Sequence, residues 1–295
     1  MMYINPMLAV NANPHSRPDW SYELKLDGQR CLGALEGTQT TLQARSGRLI
    51  TACYPEISIQ AKHNLVVDGE MICELPNGLP DFPMIQRRMK QSKSLLINHL
   101  AKTHPAKYWV FDVLYVDGVS VMSRPLLERK AILKANLIQN DRVRVLPWSI
   151  GNGKELFEKA CGAGYEGVMG KCSTSRYSEG DRSSSWQKMK PLKSGQFFAV
   201  GLTVSDNREF KSIILARMVG NEFQYVSTVS SGLTDKDVQK WFVKPAVSLS
   251  LKVPVDVKVL KWIEPEAIKV FYYEQTVEGH LRFPRLVPSR PRFGI

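Results

Sequence analysis

The stretch "PLKSG", residues 191 to 195, divides the chain into two kinds of pattern. Before it, strand-like and helix-like segments alternate. After it, nearly every segment is strand-like. A change of pattern at a Pro/Gly/Ser joint predicts two domains, here residues 1–192 and 193–295. At 295 residues the chain can supply both with a core.

In the first part, "SYELKLDGQRCLGAL" and "TTLQARSG" read as strands joined at Glu36-Gly37. "LVVDGEMI" and "KYWVFDVLYVDG" are rich in β-branched and aromatic residues and read as buried strands. "RPLLERKAILKANLIQN" reads as an amphipathic helix with Pro125 in its first turn. "GKELFEKACGAG" reads as a second helix, ended by glycine. "YEGVMGKC" and "SSWQKMKP" follow as strands. The second part offers "FFAVGLTVSD", "SIILARMVG" and "EFQYVSTVS", then the helix "LTDKDVQKWFV" with Thr234 as N-cap. Two more strands follow, "VPVDVKVLKWI" and "EAIKVFYYEQTVEG". That order suits a small five-stranded barrel of the OB type, and also other small β domains.

The formal net charge is +12 and the pI about 9.5, which favours a polyanionic partner, nucleic acid before an acidic membrane. No apolar run is long enough to span a bilayer, so none is expected to cross one. The N-terminal stretch has no basic region leading into an apolar one, so no secretion signal and a cytoplasmic location are expected. The five cysteines are scattered without a CxxC, which predicts reduced thiols. The histidines form no HExxH, so no zinc centre is expected.

The chemistry sits in charged residues beside glycines. In "ELKLDGQR", a strand would put Glu23, Lys25 and Asp27 on one face and Leu24 and Leu26 on the other. Lys25 can act as a nucleophile once deprotonated. Flanking carboxylates favour its charged form, which predicts a cation in the site to offset them. A solvated strand face of paired charges accounts for the octapeptide equally well. Further along, Arg45 precedes a Ser-Gly turn and Glu70 follows Asp68-Gly69. Trp109, Phe111, Val113 and Tyr115 alternate onto one face, as core or with one able to stack on a base. Glu166 and Lys171 fall on opposite faces of a regular strand unless Gly170 makes a bulge. Trp186, Lys188 and Lys190 share a face, and two lysines there suit a developing phosphoryl charge.

Together these stretches resemble the covalent nucleotidyltransferases, specifically the ATP-dependent DNA ligases. The family's Lys-x-Asp-Gly-x-Arg motif stands here as Lys25-Leu26-Asp27-Gly28-Gln29-Arg30. "LQARSG", "DGE" with "FDVLYVDG", "EGVMGK" and "WQKMKP" resemble the second to fifth motifs, in the family's order. The wording of "FDVLYVDG" and "RPLLERKAIL" is similar to bacterial end-joining ligases.

The resemblance implies an α+β fold: an adenylation domain of mostly antiparallel sheets with flanking helices, then a five-stranded OB-fold domain. It implies sealing of 5′-phosphate/3′-hydroxyl nicks in duplex DNA, with ATP as AMP donor and Mg²⁺ or Mn²⁺ as cofactor. Lys25 would carry AMP, with Glu166, Lys188 and Lys190 as the other catalytic residues. Glu23, Leu24, Lys25, Arg30, Glu70, Phe111, Lys171, Lys188, Lys190 and Arg290 would bind ATP, with Phe111 stacked on adenine. Arg30, Arg45 and Lys171 would meet DNA, and Glu70 and Glu166 the metal. A monomer without membrane association is expected. The family's last motif, Arg-x-Asp-Lys, is altered here to Arg290-Pro291-Arg292, so the role of Arg290 is the least secured by the match. No extra N-terminal DNA-binding domain is recognisable, which predicts a minimal two-domain enzyme. The alternatives are an RNA ligase or capping guanylyltransferase and, in another class, a basic OB-fold protein that binds nucleic acid without catalysis.

Overall fold

The computed structural model describes residues 4–205, 208–276 and 278–286. The chain separates into two compact units, Met1–Lys190 and Pro191–Ile295.

The first unit holds strands β1 (Leu8–Asn11), β2 (Trp20–Leu24), β3 (Gln29–Glu36), β4 (Gln39–Ala44), β5 (Gln60–Ala61) and β6 (Leu65–Ile72). Helices α1 (Phe82–Met89) and α2 (Ser94–Thr103) precede β7 (Lys107–Val116) and β8 (Val119–Ser120). Helix α3 (Leu126–Asn136) leads to β9 (Leu137–Ile138), β10 (Val143–Val145) and β11 (Trp148–Ile150). Helix α4 (Gly153–Gly162), β12 (Val168–Cys172) and β13 (Arg182–Met189) complete it.

Two sheets carry the unit. One has the order β1-β13-β12-β2-β11, the other β10-β7-β6-β3-β4, with β8 on β7. They face each other across a core that joins Leu32, Phe111 and Leu114 of the second sheet to Trp186 of the first. The outer face of the first sheet packs Tyr22, Val168 and Met189 against Ala160 of α4. The outer face of the second buries Val67, Tyr108 and Val110 with Ile85 of α1 and Leu133 of α3. Each buried Val, Leu, Ile, Phe or Met among these contributes roughly 1.5–3 kcal/mol of transfer free energy.

The sequence reading fails where the backbone leaves its period. "SYELKLDGQRCLGAL" is two strands, because β2 ends at Leu24 and β3 begins at Gln29. The expected common face of Glu23, Lys25 and Asp27 therefore does not extend along one strand. Strand β7 carries two bulges against β6: Asp68 pairs with Asp112 and Gly69 with Val110, while Val66 pairs with Tyr115 and Val67 with Val113. Phe111 and Leu114 are the unmatched residues. The bulges turn Val113 to the outer core, away from Trp109, Phe111 and Tyr115. Strand β12 pairs with both neighbours in unbroken register, so Gly170 makes no bulge. Pro125 is the N-cap of α3 rather than a first-turn residue. Helices α1, capped by the Asp81 side chain on the Met84 N–H at 3.0 Å, and α2 were not read from the sequence.

The second unit holds β14 (Lys193–Ser205), β15 (Arg208–Val219), β16 (Glu222–Val229), helix α5 (Asp235–Phe242) and β17 (Val259–Tyr272). Three two-residue strands follow, β18 (Glu274–Gln275), β19 (Leu281–Arg282) and β20 (Arg285–Leu286). The main sheet has the order β16-β15-β14-β17-β20. Its core includes Ala199, Ile213, Val226, Val270 and Trp241 of α5. Thr234 caps α5 in a reciprocal capping box with Asp237, as its sequence predicts. The two last strands expected here do not form as read. Val259–Tyr272 is one long strand with shifts of register against β14, and all of "VPVDVK" lies outside it. Among the described residues, no helix is long and apolar enough to cross a membrane.

Candidate active site

Three neighbouring strands end together. Val168, at the start of β12, lies opposite Leu24 of β2 and Met189 of β13. The next residues outward are Lys25, Glu166-Gly167 and Lys190. The Lys25 N–H donates to the Gly167 carbonyl at 3.0 Å, which fixes the lysine beside Glu166. Gly167 has φ of +143°, and a Cβ there would collide with the Met189 carbonyl oxygen. Only glycine lets the strands close this tightly. One carboxylate then bridges two ammoniums: Lys25 Nζ on Glu166 Oε2, and Lys190 Nζ on Glu166 Oε1. The Lys25 side chain keeps 20 % exposure, so a ligand can reach it.

Lys25 opens on a cavity of about 660 Å³. Glu23, Leu24, Arg30, Arg45, Glu70, Phe111, Lys171 and Lys188 also line it. That volume lies in the range of small-molecule sites. Glu166 and Lys190 join through Lys25. Arg45 is exposed, in the turn after β4. Arg290 lies outside the described residues.

Arg30 is held by Asp68, whose buried carboxylate accepts from its Nε and Nη2, both at 2.6 Å. The Tyr177 hydroxyl donates to the same carboxylate at 2.7 Å. Burial works against the guanidinium charge, but Asp68 outweighs it and raises the pKa further. Glu70 lies opposite Arg30 across β3 and β6. Burial pushes its carboxyl up to about 7, with Arg30 and Lys25 pulling it down and Asp68 and Glu166 adding to the rise. Among the described residues, no group of three or more His, Cys, Asp or Glu is placed to hold a metal ion. Glu70 and Glu166 nevertheless fit a divalent cation. Both are oxygen donors, and Glu166 lies near enough to add to the rise at Glu70, so a cation with bound phosphates would complete such a set.

Glu23, also in the cavity wall, is buried and pairs with two cations other than Lys25. Lys130 Nζ donates to its Oε2 at 2.7 Å, and Lys171 Nζ pairs with Oε1. Burial penalises the Glu23 carboxylate, yet the two ammoniums hold its pKa below the usual value. Burial pushes Lys171 down to about 8 despite Glu23, and Lys130 adds to the depression. The Lys171 ammonium lies 4.0 Å from the Phe111 ring centroid and 4.1 Å from that of Trp186. Its side chain is 1 % exposed, so it is not on the surface as a DNA contact would require. Arg30 stands 4.7 Å over Phe111. A base that stacks on Phe111 must share the ring with these cations or displace one.

Sequence reasoning did not assign Asp68, Lys130, Tyr177 or Trp186 to the site. For Lys130 a signal existed. Leu126, Arg129, Lys130 and Leu133 form an i, i+3, i+4, i+7 stripe on α3, and all four are buried. Two cations in an apolar stripe imply carboxylate partners in the core.

A family model described as ATP dependent DNA ligase domain matches residues 6–190, and one described as ATP dependent DNA ligase C terminal region matches 206–292. The multifunctional non-homologous end joining protein LigD of Mycolicibacterium smegmatis is 29 % identical over 303 residues, covering 97 % of this chain and 38 % of that protein. The chain thus spans well under half the length of that relative. The SPbeta prophage-derived DNA ligase-like protein LigB of Bacillus subtilis is 31 % identical over 207 residues, covering 70 % of this chain and 74 % of LigB. A solved structure of mycobacterial DNA ligase D complexed with ATP and MES is similar, with TM-score 0.56, 25 % identity and coverage of 97 % of this chain and 96 % of that one. The shared fold is a nucleotidyltransferase domain followed by an OB-fold domain.

Proposed function

Since the chain belongs to the ATP-dependent DNA ligase family, we propose that it seals 5′-phosphate/3′-hydroxyl nicks in duplex DNA in three nucleotidyl transfers. The observation that carries this reading is the Lys25–Glu166–Lys190 cluster at the mouth of the cavity. Lys25 Nζ attacks the α-phosphorus of ATP, forms a phosphoramidate and releases pyrophosphate. AMP passes to the 5′-phosphate of the nick, and the 3′-hydroxyl then displaces it.

Glu166 holds Lys25 Nζ in place and is its nearest proton acceptor. Lys190 shares that carboxylate and, with Lys188, faces the negative charge that grows on the α-phosphate. Glu23 and Phe111 form the base end, Leu24 adds apolar wall, and Arg30 and Glu70 hold the ribose side. Arg45, exposed at the rim, meets the nick phosphate. Lys171 belongs with the base end rather than with DNA. Glu70 and Glu166 would hold Mg²⁺ or Mn²⁺, which would supply charge neutralisation. Residues 1–192 act as the adenylation domain and 193–295 as the OB-fold domain of a cytoplasmic monomer.

The test is sealing of a nicked duplex by the purified chain with ATP and Mg²⁺. Sealing that vanishes without ATP, or in excess chelator, is the expected result. Sealing of nicked RNA alone would assign the chain to RNA.

Glu70 gives the metal requirement a pH dependence. Below about 7 its carboxyl is protonated and must lose that proton to bind a cation. The Mg²⁺ concentration for half-maximal adenylation should rise by up to about tenfold per pH unit as pH falls below that point. Glu70→Gln should raise the requirement at high pH and flatten the slope. A requirement unchanged between about pH 8 and pH 6 would remove Glu70 from the metal set.

A further inference from the structure

Lys130 is wholly buried and does not line the cavity, yet it holds two groups that do. Its Nζ donates to Glu23 Oε2 at 2.7 Å and to the Phe111 carbonyl at 3.1 Å. It also stands 4.6 Å over the Trp148 ring. One ammonium therefore ties together β2, the bulged residue of β7, and β11. Glu23 has each oxygen held by a different cation, Lys130 on one and Lys171 on the other. A carboxylate offers about four acceptor sites, so one aimed in this way can still receive a donor from the cavity. Docking of α3 does not explain the residue. Leu126 and Leu133 already bury the same stripe, and an ammonium there is costly to desolvate.

We propose that Lys130 is a positioning residue for the base end of the cavity: it fixes the Glu23 carboxylate and the Phe111 backbone, and so sets affinity for a 6-aminopurine nucleotide without touching it. The inference rests on the reading that the cavity takes ATP. Lys130 bonds Glu23 and the Phe111 carbonyl, whereas Lys25 is held by Glu166, so Lys130 should act on uptake and leave phosphoryl transfer largely alone.

The experiment measures lysyl-adenylate formation against concentration of α-labelled ATP for wild type, Lys130→Met, Glu23→Gln and the double variant. A lost hydrogen bond to a charged group weakens binding by roughly 10- to 100-fold. Lys130→Met should raise half-saturating ATP by about that factor, with the maximal rate changed less than about threefold. Pre-adenylated Lys130→Met should seal nicks within about twofold of wild type. Because Lys130 acts through Glu23, the double variant should be no worse than Glu23→Gln alone. If Lys130→Met does not fold, the double variant, with both charges gone, still gives that comparison. Unchanged half-saturation, a matching fall in both adenylation rate and sealing, or additive losses in the double variant would each overturn the proposal. A wild-type protein that forms no adenylate at all would instead overturn the ATP reading beneath it.

Discussion

Lys25→Ala should carry no covalent AMP after incubation with α-labelled ATP, a loss of more than about 10³-fold in adenylation. The reason is geometric as well as chemical. The lysine is placed by its own N–H on the Gly167 carbonyl, and its Nζ is held on Glu166. Lys190 bridges to the same carboxylate from the other side but leaves from the end of a different strand. It therefore should not substitute for Lys25 as nucleophile. The variant should fold, because Glu166 retains Lys190 as its counter-charge. It should still close a nick supplied with AMP already on its 5′-phosphate, since that step does not use the lysine amine. Measurable AMP on Lys25→Ala would move the nucleophile elsewhere.

The second large effect is on stability. Arg129→Met should destabilise the chain by about 3–5 kcal/mol, because it leaves the buried Asp112 carboxylate without its counter-charge. Arg129 and Asp112 are both 0 % exposed and meet through two bonds of 2.8 Å. Arg129 also donates to the carbonyls of Arg124 and Ser175, which would lose a donor as well. The urea midpoint should fall by about 1 M or more at unchanged slope. Asp112→Asn combined with Arg129→Met should recover part of the loss, since removing both charges leaves no uncompensated ion. A midpoint within about 0.3 M of wild type would show that the pair contributes little.

Much of the site lay open in the sequence, for a physical reason. Residues at strand ends beside glycine must sit where the backbone turns, and there short motifs report position well. Glu166 is of this kind, Lys25 and Lys190 stand just past the ends of β2 and β13, and the structure brings all three together. What stayed hidden depends on contacts between distant segments. The Glu23 partners come from α3 and β12, 107 residues away in the case of Lys130. A period-two reading could not anticipate the bulges at Phe111 and Leu114, because they are set by pairing with β6. It likewise ran Glu23, Lys25 and Asp27 through a strand that stops at Leu24. In the second unit, the capped helix was legible from Thr234 and Asp237, which act locally. The merging of two expected strands into Val259–Tyr272 was not, because the long partner β14 sets it.

The most direct test of the central claim, that Lys25 takes AMP from ATP, is peptide mass mapping of the wild-type chain after incubation with ATP and Mg²⁺. The account predicts an AMP adduct, bonded to nitrogen, on the peptide that contains Lys25 and on no other. An adduct on Lys188, Lys190 or any other side chain, or no adduct in a protein that still seals nicks, would contradict it.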